Sequence, residues 1–478
     1  MRMRVVASVV VLAGLLLSSG CGAGGAAPTP TPEPASPTEA PEPTTESTDE
    51  PEPTIEPTDE PAPTPEPTDE PEPTTLLFWS HWAEEENKKL VLMAAAEKFE
   101  ESHPNVDVEF NWWQKAEMFP AMRNAFTAGE GYPDIFYFDR GALEFIEAGW
   151  LADLSDAIDW SDVKDSAKAG WTRPGPEGEE GTWAVALEMA TDEIYYNKDI
   201  FEELGIDVPA DYQYSADDFF DICEDIREAG YDPFANAVGD YAIMGHYIYS
   251  YVLLSQLGEQ GLIDLWTGEK SWKDPEVVEA LAYVNELFQI PVYPKTYSTM
   301  KLAESHVYFH TQQEAAMFLC GSWYTGRAFV PPDQGGQPAD FSLGLLRYPA
   351  MPDGKGNDLK VSLVSGSIAV ADMSPRKELA LELLQTIASS DIGNMWLEET
   401  AVQTGIKTSE VGGEFQWYFD EYAETHEDQK YANAFYGLMM PPELTDAFHA
   451  VLCQGLPLGQ ISLDEAIEKM EEARQSIE

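Results

Sequence analysis

The chain has 478 residues, 44% hydrophobic and 12% aromatic, which is enough for a large core and for two or three domains. It carries 86 acidic residues against 27 basic ones, a formal net charge of -59. Such a surface repels phosphate, which argues against nucleic acid or an anionic membrane surface as partners and for a well-solvated protein.

The first residues have the pattern of a secretory signal. Arg2 and Arg4 precede an apolar stretch from Val5 to Leu17, too short to span a membrane comfortably, and "LLLSSGCG" then places Cys21 after small residues. This resembles a bacterial lipoprotein signal over 1–21, in which Cys21 becomes the lipidated, palmitate-bearing N-terminus. Ser18 departs from the pattern, because the expected leucine lies one position earlier. No later apolar run is long enough for a membrane span.

Residues 22–75 contain fourteen acidic residues and no Lys or Arg in a Pro/Thr background. "TDEPEPT", "TDEPAPT" and "TDEPEPT" recur every ten residues at 48–54, 58–64 and 68–74. No repeat unit has an apolar face to bury, so the composition predicts a disordered, extended tether with a reach on the order of 150 Å. The remainder keeps 72 acidic residues against 25 basic, so the acidity is not confined to the tether.

Strand and helix patterns then alternate. "TLLFW" reads as a buried parallel strand, "EEENKKLVLMAAAEKFEESH" as a helix with Leu90, Met93 and Ala94 on one apolar face and Val91, Ala95 and Phe99 beside it. "VDVEF" is a strand, "AEMFPAMRNAFTAGE" a helix and "PDIFYF" a third strand. Further strands are expected at "WAVALEM", "EIYYN", "AAMFLC", "FSLGLL" and "SGSIAVA", with helices at "YSADDFFDICEDIREAG" and "SPRKELALELLQTIASSD". The last helix, "SLDEAIEKMEEARQSI", opens on a Ser462–Glu465 capping box. This order predicts an α/β protein with helices on the faces of its sheets.

Catalytic signatures are missing: there is no GxSxG, HExxH or Walker sequence. Cys223, Cys320 and Cys453 show no CxxC spacing, which argues against zinc and for buried thiols, with one disulfide among them left open. No cofactor and no metal are expected. The 13 tryptophans and 21 tyrosines stand out. An indole plane matches the C–H face of a sugar ring, and polar side chains match its hydroxyl fringe, although any one of these rings also suits a core. In open α/β sheets, ligands bind beyond the carboxyl ends of strands.

"LLFWSHW", "AMRNAFTAGEGYPDIFYFDRGALEFIEAGWLADLSD", "TDEIYYNKDIFEELGIDVPADYQYSADDFFDICEDIREAG", "QEAAMFLCGSWYTGRAF" and "SLVSGSIAVADMSPRKELALELLQTIASSDIGNMWLEETAVQTGIKTSE" together resemble the family 1 extracellular solute-binding proteins of bacterial ABC importers, relatives of maltose-binding protein. The resemblance covers most of 75–478. It implies a two-lobed, periplasmic-binding-protein-like fold, each lobe a mostly parallel sheet flanked by helices, with a hinge crossed about three times. Lobe I would be 75–189 and 321–385, lobe II 190–320 and 386–478. It further implies a monomer, lipid-anchored at the extracellular face of the cytoplasmic membrane, that captures a carbohydrate between its lobes and hands it to membrane permease subunits. No enzymatic activity is implied. Alternatives are a non-sugar solute (polyamine, phosphodiester, peptide or metal chelate), a sensor component, and a glycan-active enzyme.

The ligand-binding residues it implies are His81 and Trp82 after the first strand, Asp139 and Arg140 after the third, Glu188 in "ALEMATDE" and Asn236 in "PFANA". Trp323 and Tyr324 in "GSWYTG" match the place where the family stacks a sugar, and Gly366 in "VSGS" suits a close backbone approach to ligand or hinge.

Overall fold

The computed structural model describes residues 73–139, 142–239, 242–409 and 413–477. The signal segment, Cys21, the tether as far as residue 72, and Arg140 lie outside them. The chain opens as the sequence predicts, with β1 (Thr74–Ser80), α1 (Glu86–Ser102), β2 (Val106–Trp112), α2 (Lys115–Ala128) and β3 (Ile135–Phe138). β1 lies between β2 and β3 and parallel to both. Phe78 and Trp79 are core residues of this layer. α1 turns Val91, Leu92, Ala95, Ala96 and Phe99 inward. Leu90 and Met93, read together on one face of this helix, are 56% and 42% exposed.

Helices α3 (Ala142–Glu147) and α4 (Asp165–Trp171) and the hairpin of β4 (Thr172–Pro174) with β5 (Glu180–Thr182) lead into β6 (Val185–Asn197). The sequence predicts two strands here, "WAVALEM" and "EIYYN". They form one strand of 13 residues, buried on both faces along nearly its whole length. The intervening "AT" and "D" contain no Gly or Pro to break the ladder.

The chain continues through α5 (Lys198–Leu204), α6 (Ala216–Ala229), β7 (Asp232–Phe234), α7 (Tyr247–Trp266), α8 (Pro275–Gln289), α9 (Leu302–His306), β8 (Ala315–Gly321), α10 (Thr325–Ala328), β9 (Leu343–Leu346) and β10 (Leu359–Val370). It closes with α11 (Lys377–Ile387), α12 (Ser390–Thr400), α13 (Gln416–Thr425), β11 (Lys430–Ala432), α14 (Pro442–Ala447) and α15 (Leu463–Ser476). Serine hydroxyls cap α6 and α15, Ser215 accepting from the Asp218 amide and Ser462 from the Glu465 amide.

The strands form an α/β, two-lobed architecture around the order β2-β1-β3-β10-β6-β8-β7, with β11 beside the start of β10 and β9 beside the end of β6. β2, β1 and β3 build the first lobe and reach β10 through Ile135–Phe138 paired with Ser367–Val370. β8, β7 and β9 build the second lobe on residues 192–197 of β6. β6 and β10 are the two long strands common to both, antiparallel to each other over Val185–Thr191 and Ser362–Ile368. Pairing is parallel at β1/β2, β1/β3, β7/β8 and β10/β11, and antiparallel wherever a strand joins β6 or meets β10 from β3.

Two expected lobe boundaries shift. β9, inside the 321–385 segment expected in lobe I, pairs with Ile194–Asn197 and so belongs with the second lobe. α12, expected in lobe II, packs on α1 of the first lobe. Its Trp396 ring lies 5.2 Å from that of Trp82, and Lys98 of α1 meets Asp391 at 2.7 Å. The apolar stripe of Ile392, Trp396 and Leu397 carries the chain back to lobe I for one more helix. Cys223, Cys320 and Cys453 are buried free thiols, so no disulfide links them. Among the described residues no helix is long and apolar enough to cross a membrane.

Candidate functional site

Where β6 and β10 pass from one lobe to the other they floor a cavity of about 150 Å³. The first lobe contributes His81, Trp82, Glu85, Lys88, Lys115, Tyr137 and Asp139 from the carboxyl ends of β1 and β3 and the starts of α1 and α2. The second contributes Met244, His246 and Tyr247 before and at the start of α7, Ala303 of α9, and Phe435. Trp323 comes from the turn after β8 and Arg327 from α10. Glu188, Asp192 and Ser365 rise from the strands beneath. Residues 188 and 192 share one face of β6 because side chains alternate along a strand. Two recesses adjoin the cavity. One of about 380 Å³ shares Ala116 with it, and one of about 490 Å³ shares Leu363 and Phe435.

The first-lobe wall is a paired charge network. The Lys88 ammonium, 2% exposed, lies 2.9 Å from Glu85 and 2.8 Å from Glu188. Arg327 reaches Glu85 at 3.2 Å, and Ser365 donates to the other Glu188 oxygen at 2.7 Å. Burial pushes the Glu85 carboxyl up, but Lys88 and Arg327 outweigh it and hold the group well below the carboxylate range. Lys88 is likewise pushed down by burial and raised above its ordinary value by Glu188 and Glu85. Lys115 meets Asp139 at 2.6 Å, and Tyr137 donates to the same oxygen at 2.6 Å. Burial and the nearby Lys115 hold His81 neutral, its pKa well below the ordinary imidazole value. Its ring stands edge-on to Tyr137 at 4.1 Å.

Of the residues singled out in the sequence, His81, Trp82, Asp139, Glu188 and Trp323 line this cavity. Trp82 is only 1% exposed, wedged between Tyr137 and Trp396. Trp323 is half-buried and lies back over its own strand: a Cβ on Gly321 would fall 2.2 Å from its indole nitrogen, so that position admits only glycine. Asn236, Tyr324 and Gly366 are not among the residues lining the cavity. Asn236 brackets the backbone of β8, donating to the Leu319 carbonyl at 2.7 Å and accepting from its amide at 3.1 Å. Tyr324 is wholly buried with its hydroxyl 2.8 Å from His310 Nδ1. Gly366 has φ +46° and approaches Glu188, not the open cavity; a Cβ there would lie 2.4 Å from the Glu188 Cβ.

Sequence reasoning missed Glu85, Lys88, Lys115, Asp192, His246 and Arg327. Two carried a readable signal. Asp192 shares Glu188's face once β6 is read as one strand, and Arg327 follows Trp323 by one helical turn. No group of three or more His, Cys, Asp or Glu side chains among the described residues is arranged to hold a metal ion.

Residues 82–393 match the family described as bacterial extracellular solute-binding protein. The chain belongs to that family. The bacterial extracellular solute-binding proteins are binding proteins, not enzymes, and work outside the cytoplasm. An ABC transporter extracellular-binding protein of Pyrococcus horikoshii, described as uncharacterized, is 26% identical over 253 residues; the match covers 52% of this chain and 55%, about half, of that relative. Among solved structures, a chitin oligosaccharide binding protein superposes with a TM-score of 0.72 at 19% identity, covering 84% of this chain and 98% of that one. A protein from work on xylan utilization by the thermophilic bacterium Caldanaerobius polysaccharolyticus gives 0.70 at 18%, covering 83% and 99%. The GacH receptor of Streptomyces glaucescens, solved unliganded and with acarbose, gives 0.64 at 20%, covering 84% and 98%. These likenesses show that this solute-binding protein has their fold.

Proposed function

We propose that this protein captures a saccharide between its lobes and delivers it to the permease of an ABC importer. The observation that carries the reading is the make-up of the cavity: indole and phenol rings beside charged groups drawn from both lobes and from the strands that join them. Rings receive the apolar face of a sugar, and carboxylates, Lys88 and Arg327 receive its hydroxyls. Neighbours of the same fold that bind chitin oligosaccharide or acarbose support the class of ligand. The adjoining recesses favour more than one sugar unit.

The mechanism follows from the division of the lining. Contacts on both lobes are made at once only when the lobes approach, so a ligand binds the closed form better and shifts the population toward it. Lipidation at Cys21 and the Pro/Thr/Glu-rich segment after it would hold this body near the membrane as a monomer while it searches.

Thermal-shift measurements with a panel of mono- to tetrasaccharides test the reading. A saccharide at one hundred times its dissociation constant stabilises by about 2.7 kcal/mol. Trp323→Ala is expected to bind it at least roughly fivefold more weakly, since an aromatic contact is worth about 1 kcal/mol beyond the area it covers. A panel in which no saccharide shifts melting rejects the reading. Wild-type affinity in Trp323→Ala removes the tryptophan from the site.

A further inference from the structure

Three of the four buried carboxylates in the cavity are held by cations: Glu85 by Lys88 and Arg327, Glu188 by Lys88, and Asp139 by Lys115. The fourth is Asp192. It is 1% exposed, and neither carboxylate oxygen has a hydrogen-bond partner among the described residues. His246 Nε2 is 3.7 Å away, beyond hydrogen-bond reach. Native proteins rarely leave a buried carboxylate without donors, and the exceptions ask for an explanation. Here the orphaned oxygens line a cavity, so a ligand can supply what the chain does not. The fixed charges of the buried lining sum to one more negative than positive when His246 is neutral.

The missing group is a cation with hydrogens to donate. A hydroxyl satisfies one oxygen but leaves the charge. An ammonium supplies three donors and the charge together. No three metal-ligating side chains among the described residues converge on a metal position, which points to an organic cation. Tyr247, Trp323 and Phe435 line the same cavity, and the faces of such rings attract ammonium groups. We propose that Asp192 is the specificity-determining residue of this site and anchors a protonated amine, so that the preferred solute is an amino-substituted saccharide. This rests on the saccharide reading above and narrows it.

The test uses the full-length protein in detergent and titration calorimetry. The ligands are glucose-, galactose- and mannose-based mono- to tetrasaccharides, each with its 2-amino-2-deoxy counterpart, and spermidine as an amine without a sugar. The amino form is expected to bind at least tenfold more tightly than its neutral twin. In Asp192→Asn that ratio should fall toward one, with a melting curve showing that the variant is folded. Neutral saccharides that bind as well as their amino twins would overturn the anchor and leave the saccharide reading standing. An unchanged amino preference in Asp192→Asn would also overturn it. Binding of spermidine with no saccharide would overturn the saccharide reading while keeping an amine at Asp192. No binding to any of them would overturn both.

Discussion

Asp192 and Glu193 are neighbours on one strand, and their surroundings are opposites. Asp192 faces the cleft and has no hydrogen-bond donor within reach. Glu193, wholly buried on the other face of β6, is saturated: it forms an ion pair with Lys360 of β10, lies 2.9 Å from His426 Nε2 of the turn after α13, and accepts from the Thr191 hydroxyl at 2.5 Å. The Lys360 ammonium also lies over the Tyr422 ring, 4.2 Å from its centroid. The pKa directions differ accordingly. Burial raises Asp192, and His246 does not offset it. Burial raises Glu193 too, but Lys360 and His426 outweigh burial and bring it below its ordinary value. One face of the crossing is completed by the chain itself, and the other waits for something the chain does not contain. The first is a structural joint; the second has the character of a binding group.

The largest effect should come from breaking the joint. Lys360→Met leaves Glu193 buried without its main cation and is expected to cost about 3–5 kcal/mol in urea unfolding. A midpoint unchanged from wild type would show that the joint contributes little. Glu193→Gln keeps the shape, loses the charge-assisted contacts and should cost about 2 kcal/mol by the same measurement. Asp192→Asn should cost less than about 1 kcal/mol or stabilise the unliganded protein, because it removes a buried charge that no hydrogen bond compensates.

The pH dependence of unfolding sharpens the contrast further, because the two groups have opposite signs. Glu193, depressed in the folded state, contributes stability that is present above its unfolded pKa and is lost as the pH falls through the folded value. Asp192, raised in the folded state, contributes stability that is complete below its unfolded pKa and is lost as the pH rises through the folded value. Stability curves from pH 3 to 8 should therefore show a smaller acid loss for Glu193→Gln and a smaller loss above about pH 4 for Asp192→Asn. Curves for the two variants that shift in the same direction would contradict the assignment.

Much of the fold was legible because the strands announce themselves as short apolar runs and helices such as α6 and α15 carry their own serine caps. The long crossing strand was harder. "ATD" reads as a polar interruption, yet Thr191 and Asp192 stay in the ladder, paired with Ser362 of β10 and Gly321 of β8. In the site, aromatic residues at strand ends were visible, and Trp82 and Trp323 do line the cavity. Tyr324 was not separable from Trp323 in sequence; only the tight turn after β8 sends one ring to the cavity and the next into the core. The network of Glu85, Lys88, Glu188 and Arg327 was invisible, because its members are brought together from up to 242 positions apart. Asn236, expected as a ligand contact, brackets the backbone of Leu319, a placement that composition cannot distinguish.

The two shared strands also set how the molecule can be divided. β6 gives its first half to one lobe and its second half to the other, and β10 does the same in reverse. A gene fragment encoding either lobe alone would therefore end in a severed strand with unpaired amides and carbonyls along a raw sheet edge. Neither half is a free-standing module for transplantation. A chimera that keeps both crossing strands intact, with changes confined to the cavity wall, leaves the sheet paired.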